Sequence, residues 1–284
     1  MPRLILLTCL LVPVSAHAHG GAHPAESGPP AWTFDPWIIG PLLLVATIYV
    51  VGFARLGGRR SLRRGAALFL LGWLVLGLSL VTPLHEAGER SFTLHMIEHE
   101  LIMAVAALLL PLSQPLGVML WGLPRRWRGV AGRFFQGLDR AFSPFLATAL
   151  QALALLAWHA PPLFNRALGH AAWHAAQHLS FLLTALLFWW SILRTPHRGA
   201  AALCLFATSV IGAGLGALMA LSSSPWYAHY AAMTLMPFGL TPEEDQALAG
   251  LIMWVPGGLV HVAVALLLLR YYLVADRPSS PLDV

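Results

Sequence analysis

The sequence predicts an all-α polytopic membrane protein: a seven-transmembrane-helix bundle after a cleavable signal peptide. Three observations carry this reading. Of 284 residues, 58% are hydrophobic and only 10% charged, where a soluble domain carries about a quarter charged. The apolar residues gather in runs of about 20, the length a helix needs to cross ~30 Å of hydrocarbon. The arginines cluster after every second run, the pattern of a chain threaded back and forth across a bilayer.

The elements follow in order. Residues 1–18 read as a signal peptide, with Arg3 as the positive n-region, Leu4 to Val12 as an apolar stretch too short to span, and Ala16-His17-Ala18 as the cleavage pattern. Residues 19–36 read as an exported flexible tail rich in Gly, Pro and His. Residues 37–272 form the predicted seven-helix transmembrane domain, and 273–284 a cytoplasmic tail. The expected spans are Trp37 to Phe53, Ala66 to Val81, Phe92 to Leu112, Pro144 to His159, Ala172 to Leu193, Ala200 to Leu221 and Ala247 to Tyr271.

Local chemistry marks several span ends. Thr241-Pro242-Glu243-Glu244 is a capping box with proline at the first helical position, so it should open the seventh span. Pro161-Pro162 should stop the fourth span. Gly212 and Gly216 make a small-residue face for close helix approach, and Pro256-Gly257-Gly258 should kink the seventh span.

Orientation follows from the cations. Arg55 to Arg64, Arg125 to Arg140, Arg194 with Arg198, and Arg270 with Arg277 all fall in loops on one side. The positive-inside rule makes that side cytoplasmic, so the N-terminus is expected outside and the C-terminus inside a bacterial plasma (inner) membrane. The net charge of +5 and pI near 9.9 are thus topological; membrane lipid is an implied partner and nucleic acid is not. With Cys9 in the signal peptide, Cys204 is the only mature cysteine, which excludes thiol-pair chemistry. No phosphate loop and no nucleophile-base pair stands out, so the reading is not an enzyme.

The 13 histidines are the informative residues. His95 and His99 lie one turn apart in the third span, and His174 and His178 one turn apart in the fifth. His159 ends the fourth span, and the topology puts all five near the outer face. Ionisable groups in a membrane face the bundle interior, so two such pairs can offer four imidazoles to one centre. Glu98, beside the first pair, could ligate or fix an imidazole tautomer. Imidazole suits copper, zinc and haem iron, and Met96 and Met103 favour Cu(I). A polar network of these histidines with Glu98 and Gln177 is the metal-free account. His85, His197 and His229 read as structural loop residues, and His261 as a partner for backbone groups freed by the Pro256 kink.

Three blocks resemble the CtaG family: His95-Met96-Ile97-Glu98-His99; Trp158-His159-Ala160-Pro161-Pro162-Leu163-Phe164 with His174 and Gln177-His178-Leu179-Ser180; and Asp245 through Gly258. The resemblance covers roughly Trp37 to Tyr272, and the chain departs from the usual pattern at Glu100, where many relatives carry an apolar residue or methionine. It implies an assembly factor for caa-type haem-copper cytochrome c oxidase, with oxidase subunits as partners, that supplies or inserts the oxidase copper. The expected metal ligands are His95, His99, His174 and His178, then His159, with Glu98 behind them. Alternatives are a b-type haem protein, with one axial histidine from each of the third and fifth spans, and a metal-free assembly scaffold. The oligomeric state is left open.

Overall fold

The computed structural model describes residues 29–233 and 237–275. The expected signal peptide and the remainder of both expected tails lie outside the described residues, as do His19 and His23. The described residues form helices and no strand. In chain order the principal helices are α1 (Pro36–Arg55), α2 (Arg63–Val81), α3 (Pro83–Gly88), α4 (Phe92–Leu112), α5 (Pro115–Gly122) and α6 (Arg125–Ala141). They continue as α7 (Pro144–His159), α8 (Pro161–Gly169), α9 (Ala171–Arg194), α10 (Arg198–Ala220), α11 (Ala228–Ala231) and α12 (Pro242–Arg270).

Six of these helices are long and apolar enough to cross a membrane: α1, α2, α4, α9, α10 and α12. A seventh candidate is α7, 16 residues long, which meets the length requirement only when joined to α6 across a bend of 88°. The helix ends follow from capping chemistry. Asp35 accepts the Trp37 N–H at 2.8 Å to open α1. The Ala160-Pro161-Pro162 break ends α7 and starts α8 with proline at its first position. At the start of α12, Thr241 and Glu244 form the expected reciprocal capping box.

The stretch between the third and fourth predicted spans, read from the sequence as an arginine-bearing loop, folds instead into α5 and α6. Gln114 turns left-handed (φ 52°) and Pro115 starts α5. This short helix packs backbone to backbone on α1: a Cβ on Gly52 would lie 1.9 Å from the Val118 carbonyl oxygen, and one on Gly122 1.9 Å from that of Ile48. The α5 carbonyls are then capped by arginine. Arg55 Nη1 donates to Trp121, Gly122 and Leu123 at 2.9, 3.1 and 3.2 Å, and Arg128 donates to Trp121 and Leu123 at 3.1 Å. Helix α6 buries no residue. Its five arginines, with exposed Val130 and Phe134, give it the composition of a helix lying along a membrane surface.

Helices α4 and α9 are the most buried of the spans, and the main core surrounds them with Phe92, Ile102, Phe181, Phe188, Trp189 and Leu205. Helices α10 and α12 meet through glycine, as a small-residue face requires. A Cβ on Gly216 would lie 2.6 Å from the Gly250 oxygen, and one on Gly250 2.4 Å from that of Gly216. Gly212, the other half of the expected face, would have no atom within 4 Å of a Cβ and so makes no such contact. The expected kink in α12 takes the form of a π-helical turn at Met253–Gly257, and α4 carries a second at Leu101–Ala106. His261 Nδ1 donates to the Gly257 carbonyl at 2.8 Å, serving the freed backbone as the sequence suggested.

Candidate metal centre

Four helices bring their histidines to the end of the bundle opposite the arginine-rich loops. Helix α4 supplies His95, Glu98 and His99, all on one side because they are three or four residues apart; none is more than 1% exposed. Helix α9 supplies His174 and His178, one turn apart, and α7 supplies His159 at its last residue. Ring centroids are 4.3 Å apart for His95 and His99, 5.0 Å for His99 and His178, and 4.5 Å for His174 and His178. The two pairs therefore sit at one depth.

The fourth contributor is α3. His85 stacks on His174 at 5.1 Å and meets His178 edge-on at 5.4 Å. Its Nδ1–H donates to Glu98 Oε1 at 2.7 Å. Burial pushes this imidazole toward its neutral form, but the hydrogen bond and charge of Glu98 outweigh it, and the pKa ends above the ordinary histidine value. Sequence reasoning placed His85 in a loop with a structural role. The available signal was Thr82-Pro83: Thr82 accepts the Leu84 N–H at 3.4 Å and proline opens the helix, so the segment becomes a short helix folded against α4.

Two sets of donors are close enough to share an ion. One nitrogen each from His95, His174 and His178 lie within 4.8 Å of one another, and so do donors from His85, Glu98 and His178. Around an ion with bonds of ~2.0–2.1 Å, such donors would stand about 3.5 Å apart, a closure that ring rotation can supply. His178 belongs to both sets, with Nδ1 3.7 Å from Glu98 Oε1. His99 adjoins His178 without entering either set. His159 stands at the rim, 6.4 Å from His99, with Nδ1 donating to the Leu155 carbonyl at 2.8 Å. His170 and His197 are exposed.

Hydrogen bonding is the site's most telling property. Both ring nitrogens of His95, His99 and His178, Nε2 of His159 and His174, and Oε2 of Glu98 are buried without a hydrogen-bond partner. The same holds for both amide atoms of Gln177, so the sequence-level idea of a Glu98–Gln177 network locking α4 to α9 does not describe this arrangement. Met103 is not part of the centre either; its sulfur accepts from Gln151 Nε2 at 3.6 Å, deeper in the bundle.

The N-terminal turn of α4 is held by a residue from far along the chain. Asp245, 1% exposed, accepts Ser91 Oγ–H at 2.8 Å and the backbone N–H groups of Phe92 and Thr93 at 2.6 and 3.3 Å. Thr93 Oγ1 returns a bond to the Asp245 carbonyl at 2.9 Å. A carboxylate on free N–H groups at a helix N-terminus satisfies both. Gln246, next in sequence, accepts the Trp226 N–H at 2.6 Å and donates to the Ser224 carbonyl at 3.1 Å. This anchoring was not foreseen from the sequence.

Comparison with known protein families gives one match. The model of the cytochrome c oxidase caa3 assembly factor family (Caa3_CtaG) matches residues 47–273. The chain belongs to that family. Neither the search of curated proteins nor that of solved structures finds a match. The matched span includes all four helices that build the histidine centre, and membership in Caa3_CtaG makes the chain an assembly factor that associates with the oxidase.

Proposed function

We propose that this Caa3_CtaG member carries copper, as Cu(I), in its histidine centre and passes it by ligand exchange to an oxidase subunit docked at that end. The observation that carries the reading is the set of buried imidazole nitrogens with no hydrogen-bond partner. Leaving a buried polar atom unpaired costs ~1–3 kcal/mol, and that cost recurs across His95, His99 and His178 at both nitrogens. A metal ion offsets part of it by taking the one lone pair of each ligating ring, each imidazole entering as a neutral ligand. His95, His174 and His178 would hold the ion. His99 and His159 stand next to them as acceptors along an exit route, and Glu98 fixes His85 as it meets the other rings. Imidazole binds Cu(I), and a carboxylate at the edge of the set balances its single charge.

The positive-inside rule places this end on the outer side of the plasma membrane, where a copper centre of an oxidase subunit would be filled. Delivery needs no covalent step, in keeping with a non-enzymatic role. The haem alternative has less support. The histidine rings touch one another and the edge of Phe181, whose centroid is 4.9 Å from that of His99, which suits an ion better than a macrocycle.

The test is elemental analysis with an optical spectrum on detergent-purified protein, wild type against a His99→Ala, His178→Ala double variant. We expect bound copper in the wild type, no Soret band, and loss of one copper equivalent together with cellular caa3 oxidase activity in the variant. Equal copper content in the two proteins, or none in either after Cu(I) reconstitution, refutes the reading and leaves an assembly scaffold.

A further inference from the structure

Immediately after His99, α4 carries a second ionisable residue that the histidine centre does not use. Glu100 lies about 12 Å along the helix from Phe92, at 1.5 Å per residue, and directly precedes the π-helical turn of α4. The π-helical turn of α12 faces it. A Cβ at Gly257 would lie 2.7 Å from Glu100 Oε2 and 2.8 Å from Oε1, so the carboxylate fits there only because residue 257 is glycine. Beside it is a cavity of about 40 Å³ lined by Glu100, Met103, Gln151, Ser209, Met253 and His261, among others. That is room for an ion or a few waters.

Several polar groups in and behind the walls of this cavity are already engaged. Gln151 Nε2 donates to Met103 sulfur at 3.6 Å, Trp189 Nε1 to the Met103 carbonyl at 2.9 Å, and Thr208 Oγ1 to the Cys204 carbonyl at 3.0 Å. His261 uses Nδ1–H on Gly257, which leaves Nε2 as a lone pair. Gln151 Oε1 is buried without a partner, on a side chain 7% exposed. Among the described residues no cation pairs with Glu100. A half-buried carboxylate inside the bundle, an unpaired amide oxygen, an imidazole lone pair and two thioethers together suit a positive charge. Thioether and imidazole select a soft ion over sodium or potassium, and a single carboxylate matches a single charge.

We propose that Glu100, His261, Met103 and Met253 form an intramembrane site for a soft monovalent cation of the Cu(I) class, separate from the histidine centre. The site stands on its own donors and does not require the histidine centre to bind copper. Gly257 keeps the carboxylate in place, and Gln151 completes the polar wall.

The test is titration of the detergent-purified full chain with Ag(I), a redox-inert probe of the same class, with bound metal counted after desalting. Four proteins are compared: wild type, Glu100→Gln, Gly257→Ala and His99→Ala/His178→Ala. Glu100→Gln removes the charge, whereas Gly257→Ala keeps every donor and displaces the carboxylate. Each is expected to lose one equivalent, or to bind it about tenfold or more weakly, with unchanged gel-filtration behaviour. Wild-type binding in both variants overturns the proposal, even if the histidine variant loses metal and the histidine reading stands. The reverse result, loss in Glu100→Gln and Gly257→Ala with no loss in the histidine variant, supports this site and removes the other. Displacement of the Glu100-dependent equivalent by a hundredfold excess of sodium overturns the soft-ion class.

Discussion

At the arginine-rich end of the bundle, Arg55 and Arg128 direct their N–H groups at the carbonyls that close α5, and Arg194 meets Asp139 at 2.7 Å. Asp139 also accepts from Trp190 Nε1 at 2.6 Å. At the opposite end, histidine rings pack against one another and most of their nitrogens bond to nothing. Both ends are dense in nitrogen, but within the histidine centre only His85 and His159 have an acceptor among the described residues. Where polar side chains serve the fold, donors and acceptors match. Where they do not match inside a buried cluster, the fold bears a cost that a ligand would relieve. That contrast separates the two ends more sharply than charge does, since both are rich in basic side chains.

The comparison can be strained from either end. The largest expected effect comes from Asp245→Ala, which strips a buried carboxylate from the start of α4. Charged hydrogen bonds of this kind contribute ~1.5–3 kcal/mol each, so unfolding in detergent should become easier by about 3 kcal/mol or more, read from thermal melts. The same variant should also bind copper more weakly, because His95 and His99 are carried on the loosened turn. A drop in stability with copper affinity unchanged would show that the centre is positioned by other contacts.

His85→Ala should cost about 10- to 100-fold in copper affinity, the range for partners that orient a ligand set, with a smaller effect on melting. Competition against a Cu(I) chelator reads it, and His85→Ala binding as wild type would return His85 to a structural role. At the other end, Gly52→Ala forces a Cβ against the Val118 carbonyl. Overpacking of this sort costs ~1–3 kcal/mol, and we expect a lower melting temperature with full copper content. Arg194→Ala should have the least effect, within about 1 kcal/mol for an exposed ion pair, with copper content and affinity unaltered. Copper loss in either of these two variants would break the separation between the ends.

Much of the fold was legible because its causes are local. Apolar run length sets α1, α2 and α4, the Thr241–Glu244 box opens α12, and consecutive prolines divide α7 from α8. The four-residue spacing of His95 with His99 and of His174 with His178 already placed each pair on one helix face, and equal depth suggested that they meet. What stayed hidden depended on contacts between distant segments. Nothing near Pro115 or Gly122 announces that α5 will fold back on α1, since the partner glycine is Gly52. His85 looked like a loop residue until α3 was seen folded against α4. Asp245 read as part of a family motif, and its bonding to Ser91, Phe92 and Thr93 could not be inferred from either segment alone.

The bond between Asp245 and the start of α4 also sets an order of construction. A ribosome delivers α4 early and α12 last, and more than 140 residues separate the first histidine pair from the aspartate that holds its helix end. Until α12 has entered the membrane, the turn bearing His95 lacks its anchor. A chain stalled before Asp245 would therefore carry every histidine of the centre and still not present them in a fixed array.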